Sequence, residues 1–153
     1  MRVIVTTEIH FYKTPNKKIY SEVHGGQYSF WERYLSVFDE VLVVARVKSV
    51  KTVPETFKRA DGERVKFYPL PDFTGLTGML KAFPSLWKCI QQIAKEKEAY
   101  IFRVPGTIGT LLYWAMKKEG KPFAVEVVGD PWDVFASRSY RSIARPLIRW
   151  LSA

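Results

Sequence analysis

Residues 99–128 read AYIFRVPGTIGTLLYWAMKKEGKPFAVEVV, which divides into a strand, a helix and a second strand. Ala99–Val104 and Phe123–Val128 are apolar runs of strand length, rich in β-branched and aromatic residues. Between them, apolar residues recur at helical spacing from Thr107 onward, and Gly120 lies where a helix commonly ends. This succession predicts two parallel strands joined by a helical crossover.

The same alternation extends to the amino terminus. The predicted strands are Arg2–Thr6, Val41–Val47 and Arg64–Leu70, and the predicted helices are Gln27–Phe38 and Gly75–Glu98. A small hairpin, Ile9–Lys13 with Ile19–Val23, is predicted beyond the first strand. The second helix is expected to kink or restart at Pro84. Five strands alternating with helices predict an α/β fold with a Rossmann-like parallel sheet and helices on both faces.

Composition limits the size of the fold and the kind of partner. The chain has 153 residues, of which 47% are hydrophobic, so residues 1–153 are expected to form one domain. A net charge of +9 favours an anionic partner such as a nucleotide, a nucleic acid, a sugar phosphate or a lipid headgroup. A single cysteine, Cys89, indicates a cytoplasmic location. No apolar stretch reaches the roughly 18 residues of a spanning helix, so any membrane contact is expected to be peripheral.

Ligands bind outside the carboxyl ends of the strands in such a sheet, so the loops that follow the strands are candidate sites. The loop after the first strand, residues 7–26, ends in Gly25 and Gly26 before a helix. Glycines allow close backbone approach, and a helix amino terminus offers free N–H groups to an anion. A flexible turn is the alternative interpretation of this glycine pair.

The second candidate loop follows the strand Ala99–Val104. Arg103 could clamp a phosphate or a carboxylate with its planar guanidinium, and the helix start at Gly106 and Thr107 would reinforce that binding. An ion pair between Arg103 and Glu126 of the neighbouring strand is an equally open interpretation, because buried charges are usually paired.

The third candidate loop, Gly129–Asp133, directly follows the fifth strand. Its Asp130 could accept hydrogen bonds from sugar hydroxyls or position a substrate, and Trp132 could serve as an apolar platform. The alternative is that the acidic residue caps a helix and that the tryptophan lies in the core.

Several of these segments resemble a known enzyme family. Residues 28–41, YSFWERYLSVFDEV, and residues 43–47, VVARV, are similar to the first helix and second strand in the N-terminal domain of bacterial GT-B retaining glycosyltransferases, the large family-four group. Residues 103–105, RVP, and residues 125–133, VEVVGDPWD, resemble later strand ends of the same branch. The resemblance covers nearly the whole chain.

The resemblance implies a two-domain sugar transferase whose N-terminal half holds the acceptor and whose C-terminal half holds most of the nucleotide-sugar donor. We therefore expect this chain to be the acceptor-side half and to be inactive alone. Its expected partners are a donor-binding domain, in the same polypeptide or a separate one, and a hydroxyl acceptor that could be lipid-linked, as in polysaccharide or glycolipid synthesis. No cofactor is expected beyond the donor substrate.

The resemblance also carries residue roles. Many relatives have a histidine and then an acidic residue after the fifth strand, facing the transferred sugar. The matching positions here are Gly129 and Asp130, so only Asp130 carries over, as a catalytic residue. The Gly25–Gly26 pair resembles the glycine loop that approaches the donor phosphates.

Other classes of function fit the sequence less well. The dinucleotide-binding glycine pattern and the P-loop lysine pattern are absent. His10 and His24 lie apart from other ligand residues, so no metal site is predicted. A basic module that binds nucleic acid or another anion without catalysis stays as the alternative, since the positive charge supports non-specific contact. No motif for specific nucleic-acid recognition is present.

The carboxyl-terminal segment, residues 134–153, carries four arginines and no acidic residue. The arginines share one helical stripe beside an apolar one: Arg138, Arg141, Arg145 and Arg149. Such a helix could lie on an anionic membrane, which would place the protein at the inner face of the membrane. A helix packed on the sheet gives the same pattern and is favoured, because apolar stripes usually face a core.

Overall fold

The computed structural model describes residues 1–129, and the predictions for Asp130, Trp132 and the segment 134–153 lie outside the described residues. The strands are β1 Arg2–Lys13, β2 Ile19–Ser21, β3 Glu40–Ser49, β4 Lys58–Arg59, β5 Val65–Leu70, β6 Ala99–Val104 and β7 Ala124–Val127. The α-helices are α1 Tyr28–Trp31, α2 Gly75–Ala94 and α3 Thr107–Met116. Short 3₁₀ turns cover His24–Gly26, Glu32–Tyr34 and Lys117–Glu119.

Five parallel strands form the body of the sheet. They lie in the order β5–β3–β1–β6–β7, so β1 is central. Val3 of β1 lies beside Val41 of β3 on one side and beside Ala99 of β6 on the other. The chain thus moves from β1 outward through β3 to β5 and then crosses back to β6. The strand order therefore reverses between β1 and β6. Strands and helices alternate along the chain, so the predicted α/β fold is confirmed.

The five predicted strands are parallel, but the sheet as a whole is mixed, because two further short strands join it antiparallel. β1 does not end at Thr6 but continues to Lys13, and its far end forms an antiparallel hairpin with β2, in which Tyr12 lies beside Tyr20. β4 then pairs antiparallel with β2. The predicted hairpin therefore exists as an extension of the first strand, since Ile9 and Phe11 continue its run of β-forming residues.

Alternate residues of the central strands enter two separate cores. Ile4 belongs to the core with α2 and α3, whereas Val3 and Val5 belong to the core with α1 and the 3₁₀ turn that follows it. This division follows from the two-residue period of a strand. Helices therefore cover both faces of the sheet, as the sequence predicts.

The first helix is much shorter than predicted. Gln27–Phe38 was expected to be helical, but only Tyr28–Trp31 is α-helical, and Glu32–Tyr34 tightens into a 3₁₀ turn. Aromatic residues dominate this segment and have modest helix propensity, and Gln27 makes no side-chain cap. The segment is held by packing instead, with Trp31 fully buried.

The second helix also departs from its predicted course. Pro84 lies inside the continuous helix α2 and does not divide it, and the helix ends at Ala94 rather than at Glu98. In contrast, β6 has its predicted bounds and α3 its predicted start, and Gly120 adopts the left-handed conformation expected just past a helix end. Among residues 1–129, no helix is long and apolar enough to cross a membrane.

Candidate functional site

A cleft of about 290 Å³ opens at the carboxyl edge of the parallel strands. It lies beside the middle of β1, at residues 7–9, where β6 and β7 end and the strand order reverses. Open α/β sheets bind ligands at such a reversal because the loops diverge there and leave a crevice. The lining residues are Thr7, Glu8 and Ile9 from β1, Arg103 and Pro105 from the end of β6, and Val128 after β7.

Glu8 enters the cleft because β1 is irregular at this point. Thr6 pairs with Val44 and His10 with Arg46, so four steps along β1 match two steps along β3. Irregularities of this kind redirect side chains and are common beside active sites. The Glu8 side chain is fixed at both oxygens but remains 32% exposed. Its carboxylate is therefore held in place and open to the cleft.

Two groups hold the Glu8 carboxylate. Its Oε1 accepts a hydrogen bond of 2.7 Å from the backbone N–H of Ile108, in the first turn of α3. Its Oε2 lies 3.0 Å from Nη2 of Arg46, which also donates to the backbone carbonyl of Glu8. A carboxylate at a helix amino terminus is stabilised by the free N–H groups and the helix dipole.

Arg46 is the buried counterion of this site. Its side chain is 11% exposed, its guanidinium lies 4.8 Å from the ring centroid of Phe73, and its Nη1 donates to the carbonyl of Phe73. Removing one partner of a buried ion pair costs more than the pair contributes, because the other charge stays desolvated. Arg46 and Glu8 therefore depend on each other.

Arg103 lies where the sequence placed it, at the end of β6. Its Nε is 3.3 Å from Oε2 of Glu126, its register partner on β7, so the predicted ion pair is confirmed. Its Nη1 donates to Oγ1 of Thr7, and its guanidinium lies 4.7 Å from the ring centroid of Phe30. Burial lowers the pKa of Arg103, and Glu126 opposes that shift. Arg103 nonetheless remains one of the lining residues of the cleft.

The Glu126 carboxylate contacts three neighbouring side chains. Besides pairing with Arg103, it accepts hydrogen bonds from Arg33 and from the hydroxyl of Tyr34. Burial and the hydrogen bond to Glu126 raise the pKa of Tyr34 to about 12. The phenol therefore stays protonated and donates across the physiological range.

Gly106 and Thr107 begin α3 beside the cleft. A Cβ at Gly106 would lie 3.0 Å from Oε1 of Glu8 and 3.1 Å from the carbonyl oxygen of Arg103. The glycine thus gives the Glu8 carboxylate room to reach the helix start. The sequence predicts that backbone N–H groups at the start of this helix bind an external anion. One of these groups, the N–H of Ile108, instead donates to Glu8. The peptide bond between Val104 and Pro105 is cis.

The glycine pair Gly25–Gly26 lies in the first 3₁₀ turn. Gly26 is buried, and a Cβ there would lie 2.3 Å from Oγ of Ser21. Its N–H donates to the carbonyl of Val23, and its carbonyl accepts from the indole of Trp31. Close packing therefore explains the glycine at position 26, whereas a Cβ at Gly25 would make only an ordinary contact with Ile9 at 3.9 Å. Binding of donor phosphates by the pair stays a prediction.

The remaining predicted residues lie at the end of the described chain. Gly129 directly follows Val128, a lining residue of the cleft, while Asp130 and Trp132 fall outside the described part. Their catalytic and substrate-binding roles stay predictions. Among residues 1–129, no three His, Cys, Asp or Glu side chains are grouped so as to hold a metal ion.

The sequence analysis missed Thr7, Glu8 and Arg46. Glu8 comes two residues after the predicted first strand, in the loop of residues 7–26 that was itself a candidate site. Arg46 is a charged residue within an otherwise apolar strand, which signals a buried partner. Both signals were present, but the partners are 38 residues apart and the pairing depends on the irregularity in β1.

Comparisons with known proteins give a distant sequence relative. No protein-family model matches the chain. Protein CapJ of Staphylococcus aureus is 29% identical over 111 residues, which are 72% of this chain and 28% of CapJ, so the chain spans less than a third of that relative. Two crystal structures of the C-terminal domain of PF1911 hydrogenase from Pyrococcus furiosus each align with 82% of the chain at 10% identity and a TM-score of 0.45. These alignments cover 91% and 90% of the two chains.

Proposed function

We propose that this chain is the acceptor-side, Rossmann-like domain of a retaining GT-B glycosyltransferase of the family-four type. The observation that carries the proposal is the cleft at the reversal of strand order, between residues 7–9 of β1 and the end of β6. The parallel strands, numbered along the chain, lie in the order 3-2-1-4-5, which matches five of the six strands in the doubly wound nucleotide-binding order 3-2-1-4-5-6. The resemblance of residues 28–41, 43–47, 103–105 and 125–133 to the family adds the reaction type.

The lining of the cleft suits a sugar-like acceptor. Glu8 accepts hydrogen bonds, Arg103 donates them, and Thr7 can do both. Ile9, Pro105 and Val128 form apolar walls against which the C–H face of a sugar ring can pack. A few convergent polar groups in a mostly apolar crevice are the usual composition of a small-molecule site.

In the proposed reaction, the oxygen of an acceptor hydroxyl bonds to the anomeric carbon of the donor sugar. The bond from that carbon to the leaving diphosphate breaks, and the hydroxyl proton leaves with the diphosphate. The residues described here bind and orient the acceptor, which converts a bimolecular encounter into a positioned one. Asp130 is proposed to face the transferred sugar. Stabilisation of the leaving diphosphate comes from the donor-binding domain.

The size of the relative is compatible with a second domain. The 111 matched residues make up 28% of CapJ, so that protein has about 400 residues. Two domains of the usual 100–200 residues each fit within about that length. We propose that the donor-binding partner is such a domain, on the same polypeptide or a separate one, that the enzyme acts in the cytoplasm or at the inner face of the membrane, and that the product is a polysaccharide or glycolipid.

The test is sugar transfer by this chain together with its donor-binding partner. A panel of labelled nucleotide-sugars and hydroxyl acceptors is supplied, and the anomeric configuration of any product is read by NMR. We expect transfer with retained configuration, lowered at least about tenfold by Thr7→Val, because Arg103 loses the hydroxyl to which its Nη1 donates. The control is Thr52→Val, at an exposed position in the loop between β3 and β4.

Three outcomes would overturn the proposal. The first is the absence of transfer with every donor and acceptor while both parts are folded. The second is an equal effect of the two threonine variants, which would remove the cleft from the reaction. The third is salt-sensitive binding to unrelated oligonucleotides tighter than the roughly 10⁻⁴ to 10⁻⁶ M of non-specific contact, which would favour the nucleic-acid alternative.

A further inference from the structure

The amino terminus of α3 lies beside the cleft, and a carboxylate of the chain itself occupies it. A helix start beside a sheet edge is by geometry an anion site, because its N–H groups are free and the helix dipole favours negative charge. Here Glu8 Oε1 takes the N–H of Ile108 at 2.7 Å. Gly106 supplies the space for this approach, since a Cβ there would lie 3.0 Å from the same oxygen. An external phosphate that uses the N–H of Ile108 would have to displace Glu8.

The other charges at the cleft are also paired. Arg46 is bound to Glu8, and Arg103 is paired with Glu126 and bonded to Thr7. A phosphate entering the cleft would therefore lie next to the Glu8 carboxylate, and like charges at short range repel strongly where water is partly excluded. The described residues offer no unpaired cation in the lining to offset that repulsion.

The charged side chains at the cleft neutralise one another in pairs, but they can still form hydrogen bonds with a ligand. The carboxylate of Glu8 is 32% exposed and rigidly held, and it can accept a hydrogen bond from a neutral hydroxyl. We propose that the cleft selects the uncharged hydroxyl face of a sugar and rejects phosphate, with Glu8 as the residue that determines this specificity. This inference rests on the proposed function for the identity of the ligand as the acceptor. Glu8 acts by orienting the acceptor hydroxyl.

The experiment measures ligand binding to the 153-residue chain by NMR, without a donor. The probes are the methyl α-glycosides of glucose, galactose and mannose, then glucose 1-phosphate and inorganic phosphate at matched ionic strength. In the wild type we expect at least one neutral glycoside to shift the amide signals of Thr7, Glu8 and Arg103, and we expect inorganic phosphate to leave them unchanged.

The decisive variant is Glu8→Ala, which frees the helix start and leaves the buried guanidinium of Arg46 without its partner. Phosphate should then bind at least about tenfold more tightly, a change of about 1.4 kcal/mol in binding free energy, and the neutral glycoside should bind more weakly. The matched control is Glu40→Ala, which removes an ion-paired carboxylate at the opposite edge of the sheet, bound to Lys66. This control should change the binding of neither probe.

A second variant, Glu8→Gln, allows the same test if Glu8→Ala does not fold. Glu8→Gln retains the side-chain volume and an oxygen for the Ile108 amide, but it removes the negative charge. It should raise phosphate affinity and lower glycoside affinity in the same direction as the alanine variant. If the glutamine variant binds both probes like the wild type, charge at Glu8 does not select the ligand and the inference fails.

The remaining outcomes separate this inference from the proposed function. Phosphate binding to the wild-type cleft as tight as glycoside binding, or no glycoside binding at these amides, overturns the inference even if transfer is observed. The expected binding pattern without any transfer by the complete enzyme overturns the transferase and leaves the inferred specificity intact.

Discussion

Gly106 illustrates how a single residue shapes the site. Its backbone is extended, with a φ of −171° that any residue can adopt, so the requirement for glycine is steric rather than conformational. Glu8 Oε1 and the carbonyl of Arg103 both lie where a Cβ would need space. The position is therefore coupled to the cleft through contact alone.

We expect Gly106→Ala to destabilise the chain by about 1–3 kcal/mol, because the added methyl group forces the Glu8 carboxylate or the backbone to move. Gly25→Ala is the matched control, since a Cβ there meets only Ile9 Cδ1 at 3.9 Å. Its effect should stay within about 0.5 kcal/mol. Urea unfolding of both variants measures the difference, and equal effects would show that the close approach at Gly106 is not constraining.

Tyr34 gives a prediction for alkaline pH. Its pKa rises from 10.0 to about 12, chiefly through burial and then through its hydrogen bond to Glu126. Because the folded-state pKa is higher, the folded chain retains a proton that the unfolded chain releases. This contribution to stability is complete below about pH 10 and is lost as pH rises through about 12.

The Tyr34→Phe variant should therefore lose less free energy of unfolding than the wild type as the pH becomes alkaline. We expect the free energy of unfolding of the wild type to fall more between about pH 9 and about pH 11 than that of the variant. Tyr100, whose pKa burial also raises to about 12, provides a second variant, Tyr100→Phe, with the same expected direction. A wild type and variants that lose stability in parallel would argue against these two groups as the cause.

Arg103 shows how far sequence reasoning reaches at one position. Its place at a strand end was predictable, and so was an ion pair with Glu126, because parallel register aligns the two residues. The sequence alone did not decide whether Arg103 binds a ligand or forms an ion pair. Its role depends on contacts with the Phe30 ring and with Thr7, which lie far from it along the chain.

Among the elements, α1 was predicted worst and β6 best. β6 is a continuous apolar run whose ends are punctuated, so local pattern suffices. In α1 the aromatic spacing of a helix is present, yet only four residues are α-helical. Local propensity is weak there and tertiary packing of the aromatic side chains on the sheet decides the backbone.

This reasoning makes Trp31 the residue that holds the α1 segment to the sheet. Its side chain is fully buried against the Phe67 and Phe30 rings, and its indole donates to the carbonyl of Gly26. We expect Trp31→Ala to cost about 3–5 kcal/mol of stability. Trp114→Ala, on α3 with 60% of the residue exposed, is the control and should stay within about 0.5 kcal/mol. Similar thermal shifts for both variants would contradict the packing role.

The position of the cleft depends on the arrangement of the whole sheet. That arrangement was only partly predictable from the sequence. Strand and helix periodicity gave the α/β class, but it carries no information on which strands are neighbours. The extension of β1 into a hairpin with β2 and the irregularity at residues 6–10 both depend on pairing between distant strands. These two features bring Glu8 to α3, so the charge pattern of the cleft could not be read from local sequence.

The same arrangement bears on the isolated chain. It has two cores, one on each face of the sheet, and a partly buried ion pair between Arg46 and Glu8 at the cleft. A unit with its own core can fold alone. Its described residues include groups that can orient a hydroxyl acceptor, whereas departure of a nucleoside diphosphate needs preorganised charge stabilisation that we assign to the donor-binding partner.

We therefore expect the isolated chain to unfold in one cooperative transition and yet to neither transfer nor hydrolyse sugar from any of a panel of nucleotide-sugars. The measurement is donor turnover beside thermal unfolding on the same sample, with a mock preparation as the control for contaminating enzymes. Adding the donor-binding partner should restore transfer while the unfolding transition of this chain persists. Turnover by the pure chain, absent from the mock preparation, would place the stabilising groups within these 153 residues and refute the division of labour between the two domains.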